Sequence, residues 1–269
     1  MRYSSQKDGG RRIRLHDADE FAAMRLAGRI AADTLDFIEA HVRPGISTAE
    51  LDRRCEAFMR EAGAIPATLG YHGYRHASCI SVNQVVTHGI PSEREILKTG
   101  DIVNIDVTPK FAGWHGDSSR TYKVGPVSPL AERLIDTAHA ALLAGIAEVR
   151  PGATLGDVGA AIDARVRAAG FRGVEDFCGH GLGQVFHAAP DVLHHGQRGT
   201  GIVLEPGMFF TIEPMVNAGT HAVKVLKDGW TTVTRDGALS AQFEHSLAVT
   251  EDGVELFTLG RAALANAVT

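Results

Sequence analysis

Gly100-Asp101-Ile102-Val103-Asn104-Ile105-Asp106 returns 107 residues later as Gly207-Met208-Phe209-Phe210-Thr211-Ile212-Glu213: a glycine, a run of strand character, and an acid at its end. The same offset aligns Val42-Arg43-Pro44-Gly45 with Val149-Arg150-Pro151-Gly152, Ser47 with Thr154, Leu51 with Val158, Cys55 with Ile162, and Ala62-Gly63 with Ala169-Gly170. Between these blocks an offset of 99 pairs Cys79 with Cys178 and His88 with His187, which requires a compensating difference in loop length. Each copy reads as two helices followed by strands. That order predicts two similar α+β halves, about 16–125 and 126–257, within one domain spanning 16–269, rather than a parallel βαβ sheet. If the halves pack about a pseudo-twofold axis, Asp106 and Glu213 face one cavity from opposite sides.

Outward from this repeat, local signals place the elements. Asp17 and Glu20 have capping-box spacing, and Met24, Ala27, Ala31, Leu35, Ile38 and Val42 recur at three- and four-residue steps, giving a helix with one apolar face that stops at Arg43-Pro44-Gly45. Ser47 and Glu50 open a second helix that runs to Ala62-Gly63. Turn and aromatic residues follow from Thr68 to Tyr74, then strands at Cys79–Val82 and from Val85 toward Pro91. Residues 1–15 are polar and are expected as a mobile lead.

Bulk properties exclude several classes. A chain of 269 residues, 44% hydrophobic and 22% charged, can bury a single large core. A net charge of -5 and a pI of about 6.2 give no pull toward nucleic acid or anionic membrane. No apolar run is long enough to span a bilayer and the N-terminus has no apolar signal core, so a cytoplasmic protein is expected. Cys55, Cys79 and Cys178 are odd in number and widely spaced, which supports neither a disulfide framework nor a zinc finger.

The acids carry the chemistry. Asp117 follows Asp106 after a hairpin-like stretch from Pro109 to Gly116, and two adjacent carboxylates in an apolar setting repel each other and resist burial. Either a lysine or arginine holds them or a hard cation does. The second half adds His180 between glycines in Cys178-Gly179-His180-Gly181, where the flexible backbone suits close approach to a ligand. It also adds Glu213 at a strand end and Glu244 inside Gln242-Phe243-Glu244-His245. Asp106, Asp117, His180, Glu213 and Glu244 together suit two divalent cations, with Asp117 and Glu244 bridging and Asp106 and Glu213 each holding one. Manganese, iron or cobalt fits mixed oxygen and imidazole ligands, and zinc is compatible. Two such ions can share a hydroxide nucleophile and polarise a carbonyl.

These motifs, with His88-Gly89-Ile90-Pro91, Asn104-Ile105-Asp106-Val107-Thr108, His115-Gly116-Asp117-Ser118 and Thr211-Ile212-Glu213-Pro214, resemble those of type I methionine aminopeptidases, in order from about residue 15 to residue 257. The resemblance implies the pseudo-twofold "pita-bread" fold, an antiparallel sheet core covered by helices, with the same five residues as metal ligands. It implies removal of the N-terminal methionine from nascent proteins by a metal-bridging hydroxide, with Glu213 or a neighbouring ligand taking the proton. His187 would bond the scissile carbonyl and His88 would sit at the scissile amide nitrogen. Tyr71, Tyr74, Cys79, Phe186 and Trp230 would form the methionine pocket. A monomer with transient ribosome contact belongs to the same expectation. Thr68 and Thr87 stand where cysteine is common in bacterial members, and Arg75-His76 replaces Pro-Lys. The insertion of type II enzymes and the zinc-binding extension of eukaryotic type I enzymes are missing, which points to a minimal bacterial-style enzyme.

Three other readings use the same residues. An Xaa-Pro aminopeptidase or prolidase shares the ligands but usually carries an extra N-terminal domain. A non-catalytic binding protein of this fold would typically have lost ligands. A cysteine hydrolase would use Cys178 beside His180, though no orienting partner is evident.

Overall fold

Four α-helices form among the described residues, which are 1–260 of this computed structural model; residues 261–269 of the expected domain lie outside them. Helix α1, Ala18–Glu39, starts with the complete Asp17–Glu20 capping box and buries Met24, Ala27, Ala31, Leu35 and Ile38. It ends before Arg43-Pro44-Gly45. Helix α2, Thr48–Glu61, is capped by Ser47, whose hydroxyl accepts from the Glu50 N–H. The Glu50 carboxylate pairs with Arg53 and Arg54. Helix α3, Pro129–Ala147, has Ser128 as cap and proline in its first turn, and α4, Leu155–Ala168, carries a complete box from Thr154 and Asp157.

The duplication extends to single hydrogen bonds. Gly45 N–H donates to Leu97 O (2.8 Å) and Gly152 N–H to Leu204 O (2.9 Å). The two cap residues make equivalent isolated bridges, Ser47 with Ile96 and Thr154 with Val203. In the first half, Ile102–Val107 lies between Ser78–Val82 and Ser118–Lys123, all antiparallel. In the second, Phe209–Ile212 lies between Gly179–Gly181 and His245–Val249, in a five-stranded antiparallel sheet.

The halves join along a polar seam. Glu244 N–H donates to Ser119 O (3.0 Å), and Ser118 Oγ donates to Glu244 O (2.7 Å). Ser246 Oγ accepts from Asp117 N–H (3.1 Å) and donates to Asp117 O (2.6 Å). Thr121 Oγ1 makes the same pair of bonds with the Gln242 backbone. Asp117 and Glu244, one from each half, are therefore fixed where the halves cross.

Residues 1–15 differ from the expected mobile lead. Arg2–Asp8 and Arg11–Leu15 pair antiparallel around Gly9 and Gly10, whose φ of 54° and 86° suit a tight primed turn. Ile13 and Leu15 alternate with arginines and bury their side chains in the larger core, at 1% and 7% exposure. Arg11 also pairs with Asp191 (2.6 Å), tying the hairpin to the strand Ala188–Val192. No helix among the described residues is long and apolar enough to cross a membrane.

Candidate active site

Asp106, near the end of Ile102–Val107, lies opposite Cys79 and Ser119. The hairpin Pro109–Phe111/Trp114–His115 turns at Ala112-Gly113 and delivers Asp117, buried at 4% exposure. Gly116 is required there because a side chain would overlap the Ala27 carbonyl of α1. Thr108 Oγ1 donates to Asp117 Oδ1 at 2.8 Å.

His180 is a strand residue. Side chains at Gly179 and Gly181 would overlap the Thr211 and Ala189 carbonyls, so what these glycines permit is close strand packing. His180 Nδ1–H donates to Gly181 O (3.1 Å), because a carbonyl can only accept. Its Nε2 is thereby turned toward the acids, 3.4 Å from Asp117 Oδ2 and 3.7 Å from Glu213 Oε1. Asp117, His180 and Glu244 each offer one ligand atom, all within 4.8 Å of one another.

Glu213 is held by four hydrogen bonds shared among three residues. Thr211 Oγ1 donates to Oε1 (2.8 Å), and Gln242 Nε2 donates to Oε2 (3.3 Å) and to the backbone carbonyl (3.2 Å). The Glu213 N–H donates to His194 Nε2 (3.1 Å). Thr211 Oγ1 also accepts from His180 N–H (3.0 Å), so one hydroxyl ties two candidate ligands together. Sequence reasoning missed Thr108, Thr211, Gln242 and His194. The first three stand two residues from an acid, hence on the same strand-like face, and that two-residue step was a usable signal.

The electrostatics call for a cation. Burial and the neighbouring carboxylates push Asp106 and Glu244 well above the usual range; burial and Asp117 push Glu213 up to about 7. Burial lowers His180, but Asp117 and Glu213 outweigh it, so the net shift is upward. Asp106 Oδ1 is buried without a hydrogen-bond partner, and among the described residues the cavity is lined by no lysine or arginine. A divalent ion fits this donor set; an ion pair with a basic side chain does not.

All twelve side chains expected at the site line one cavity of about 390 Å³. Tyr74 donates its hydroxyl to Ser78 O (3.0 Å) and Gly89 O (3.1 Å), and its ring meets Trp230 edge-on at 5.0 Å. Phe177, Met215 and Asp176 also line the cavity and were not anticipated. His88 holds a left-handed backbone, φ 56°, with its ring edge-on to Phe177 (5.7 Å) and Trp230 (6.2 Å). Burial lowers His88, and crowding by the cavity groups together with His180 lowers His187, although part of its surface is open to solvent, so both are neutral near pH 7. Burial raises the Cys178 thiol to about 11, which argues against a thiolate nucleophile.

His76 has a structural role: its Nδ1 lies 3.3 Å from Asp52 Oδ2, while Asp52 Oδ1 accepts from the Ser78 N–H (2.9 Å) and hydroxyl (2.7 Å). Thr68 Oγ1 donates to His76 O (3.0 Å), bracing the same loop. Nothing in the structure explains Arg75, which is exposed.

Residues 22–251 match the model of metallopeptidase family M24. The chain is 51% identical over 251 residues to methionine aminopeptidase A of Synechocystis, covering 93% of this chain and 99% of that protein. The crystal structure of methionine aminopeptidase from Rickettsia prowazekii superposes with a TM-score of 0.91 at 50% identity, covering 92% of this chain and all of that one. An Xaa-Pro dipeptidase from Bacillus anthracis shares the pita-bread fold at a TM-score of 0.72 and 25% identity, but the chain covers only 61% of it.

Proposed function

The chain belongs to metallopeptidase family M24, and from that premise we propose that its cleft removes the N-terminal methionine from peptides and nascent proteins. The observation that carries this reading is the union, in one cavity, of an acidic floor with His180 and an aromatic wall. The thioether of methionine is unbranched and polarisable, which suits a pocket walled by Tyr74, Cys79, Phe177 and Trp230.

Asp106, Asp117, His180, Glu213 and Glu244 would hold two divalent cations, manganese, iron or cobalt, with zinc also compatible. When bound, these supply Lewis acidity toward the carbonyl and lower the pKa of coordinated water. The rest is done by side chains. Glu213 accepts the proton of the attacking water, His187 donates a hydrogen bond to the carbonyl oxygen as charge develops there, and His88 stands at the leaving amide nitrogen. The reading carries with it a cytoplasmic setting, a monomeric working form and transient contact with the ribosome.

Release of methionine from Met-Ala and Met-Arg peptides, and of the first residue from an Xaa-Pro peptide, tests it on chelator-treated and metal-restored protein. Methionine release restored by metal, with Xaa-Pro cleavage absent, is expected. Release that survives full metal removal would overturn the two-metal reading, and preference for the Xaa-Pro peptide would overturn the substrate assignment.

A further inference from the structure

Tyr71 and His187 stand 116 residues apart in opposite halves, yet the phenol oxygen lies 2.7 Å from His187 Nδ1. The His187 side chain is open to solvent on one side, and ring packing on the other restrains its orientation. Phe186 stacks on it at 4.1 Å and 24°, and the His180 ring lies 4.3 Å away, tilted at 55°. Phe186 is itself stacked on His115 (5.5 Å, 9°), whose Nδ1–H is anchored to Gly183 O at 2.8 Å. The phenol is equally constrained. Its ring meets His72 edge-on at 4.4 Å and Phe186 at 5.0 Å. The loop that carries it is closed by Tyr71 N–H to Thr68 O (3.0 Å), Gly70 N–H to Tyr74 O (2.7 Å) and Tyr74 N–H to Tyr71 O (2.9 Å). Gly70 and Gly73, with φ of 90° and 87°, let the loop turn tightly, and His72, a non-glycine residue at φ 47°, carries local strain in it.

With both rings fixed, the open variable is which atom carries the shared proton. A phenol, with an ordinary pKa near 10, is a much stronger acid than a neutral imidazole N–H, and an imidazole nitrogen is a better acceptor than a phenol oxygen. The favoured arrangement is O–H donating to Nδ1, which leaves the imidazole proton on Nε2. An Nε2–H can donate to a carbonyl oxygen; a bare Nε2 cannot, and would repel the developing negative charge.

We propose that Tyr71 is a positioning residue that sets the His187 tautomer, so that Nε2–H faces the scissile carbonyl, in addition to standing in the pocket wall. This rests on the role assigned to His187 above. Tyr71 acts through His187 and touches no reacting atom in this role.

Tyr71→Phe tests it, because the ring and its packing remain while the donor is lost. The ring nitrogens of His187, identified by difference from His187→Gln, are followed by nitrogen-15 spectra in the metal-free and zinc-loaded chain. The parent is expected to show a protonated Nε2, and the variant a mixture of both tautomers. On a Met-Ala peptide the variant should lose kcat by roughly tenfold, the scale of one hydrogen bond, with KM within about twofold and metal content unchanged. A parent protonated on Nδ1, a variant whose tautomer and kcat match the parent, or a loss confined to KM would each overturn the proposal, the last marking Tyr71 as pocket wall alone. If the parent releases no methionine, the assignment of function fails, and the nitrogen spectra still decide the tautomer.

Discussion

Replacing Glu213 by glutamine should stabilise the metal-free chain at the pH where it abolishes function. In the metal-free fold the Glu213 carboxyl is raised from its ordinary 4.5 to about 7, chiefly by burial and then by the charge of Asp117. Below pH 4.5 the group is protonated in both folded and unfolded chains and costs nothing. As pH rises from 4.5 toward 7 the unfolded chain ionises first, and above 7 the fold carries the full penalty, roughly 3 kcal/mol for a difference of that size. Glutamine removes the charge but presents an NH₂ where the carboxylate accepted from Thr211 or Gln242, at a cost of about 1 kcal/mol. The net expectation is a gain of about 2 kcal/mol near pH 8 and a loss of about 1 kcal/mol near pH 4. Urea unfolding of chelator-treated parent and variant at both pH values reads the difference. With divalent metal restored the order should invert, because the parent gains binding energy that the variant lacks. A variant less stable than the parent near pH 8, or a difference independent of pH, would refute the view that the acids stay destabilised until a cation arrives.

The other predictions concern the scaffold. Ile13→Ala, at 1% exposure in the larger core, should cost about 2–4 kcal/mol in urea unfolding, whereas a mobile lead would leave stability unchanged. His16 is stacked on Phe209 at 4.0 Å and lowered by burial from 6.5 to about 4, so the fold should lose roughly 3 kcal/mol as pH falls between those values. His16→Phe, which keeps the stack and cannot take up a proton, should flatten that acid limb in stability measured against pH. Gly116→Ala would push a methyl into the Ala27 carbonyl and should cost about 3 kcal/mol while weakening metal uptake, read by calorimetry, since Asp117 follows directly.

The repeat was legible because duplication preserved hydrogen-bonding positions as well as apolar ones: Ser47 and Thr154 keep the same cap and the same bridge. The acids were legible because a carboxylate in an apolar strand needs an explanation. The N-terminal hairpin was misjudged because its polar composition outweighed the Asp8-Gly9-Gly10 turn and the Ile13/Leu15 alternation, which were both present. His194 left no signal at all. It reaches the Glu213 N–H from 19 residues upstream, and no period relates a loop histidine to a strand amide. The Tyr71–His187 bond was hidden for the same reason at larger scale, since only the packing of one half on the other brings the two together.

The seam explains why duplication produced a site and not merely a larger core. Ser118, Thr121 and Ser246 add hydroxyl bonds to the backbone contact between Glu244 N–H and Ser119 O, each donating to a backbone carbonyl of the opposite half. Asp117 and Glu244 are both backbone-anchored by these bonds, and Asn104 Nδ2 adds another to Gln242 O at 2.9 Å. The distance between the acids is therefore fixed by the seam, before any cation binds. Such preorganisation buries the acids and then sets them beside one another, so that burial first and mutual repulsion second raise Asp106, Glu213 and Glu244, a cost that a divalent ion relieves.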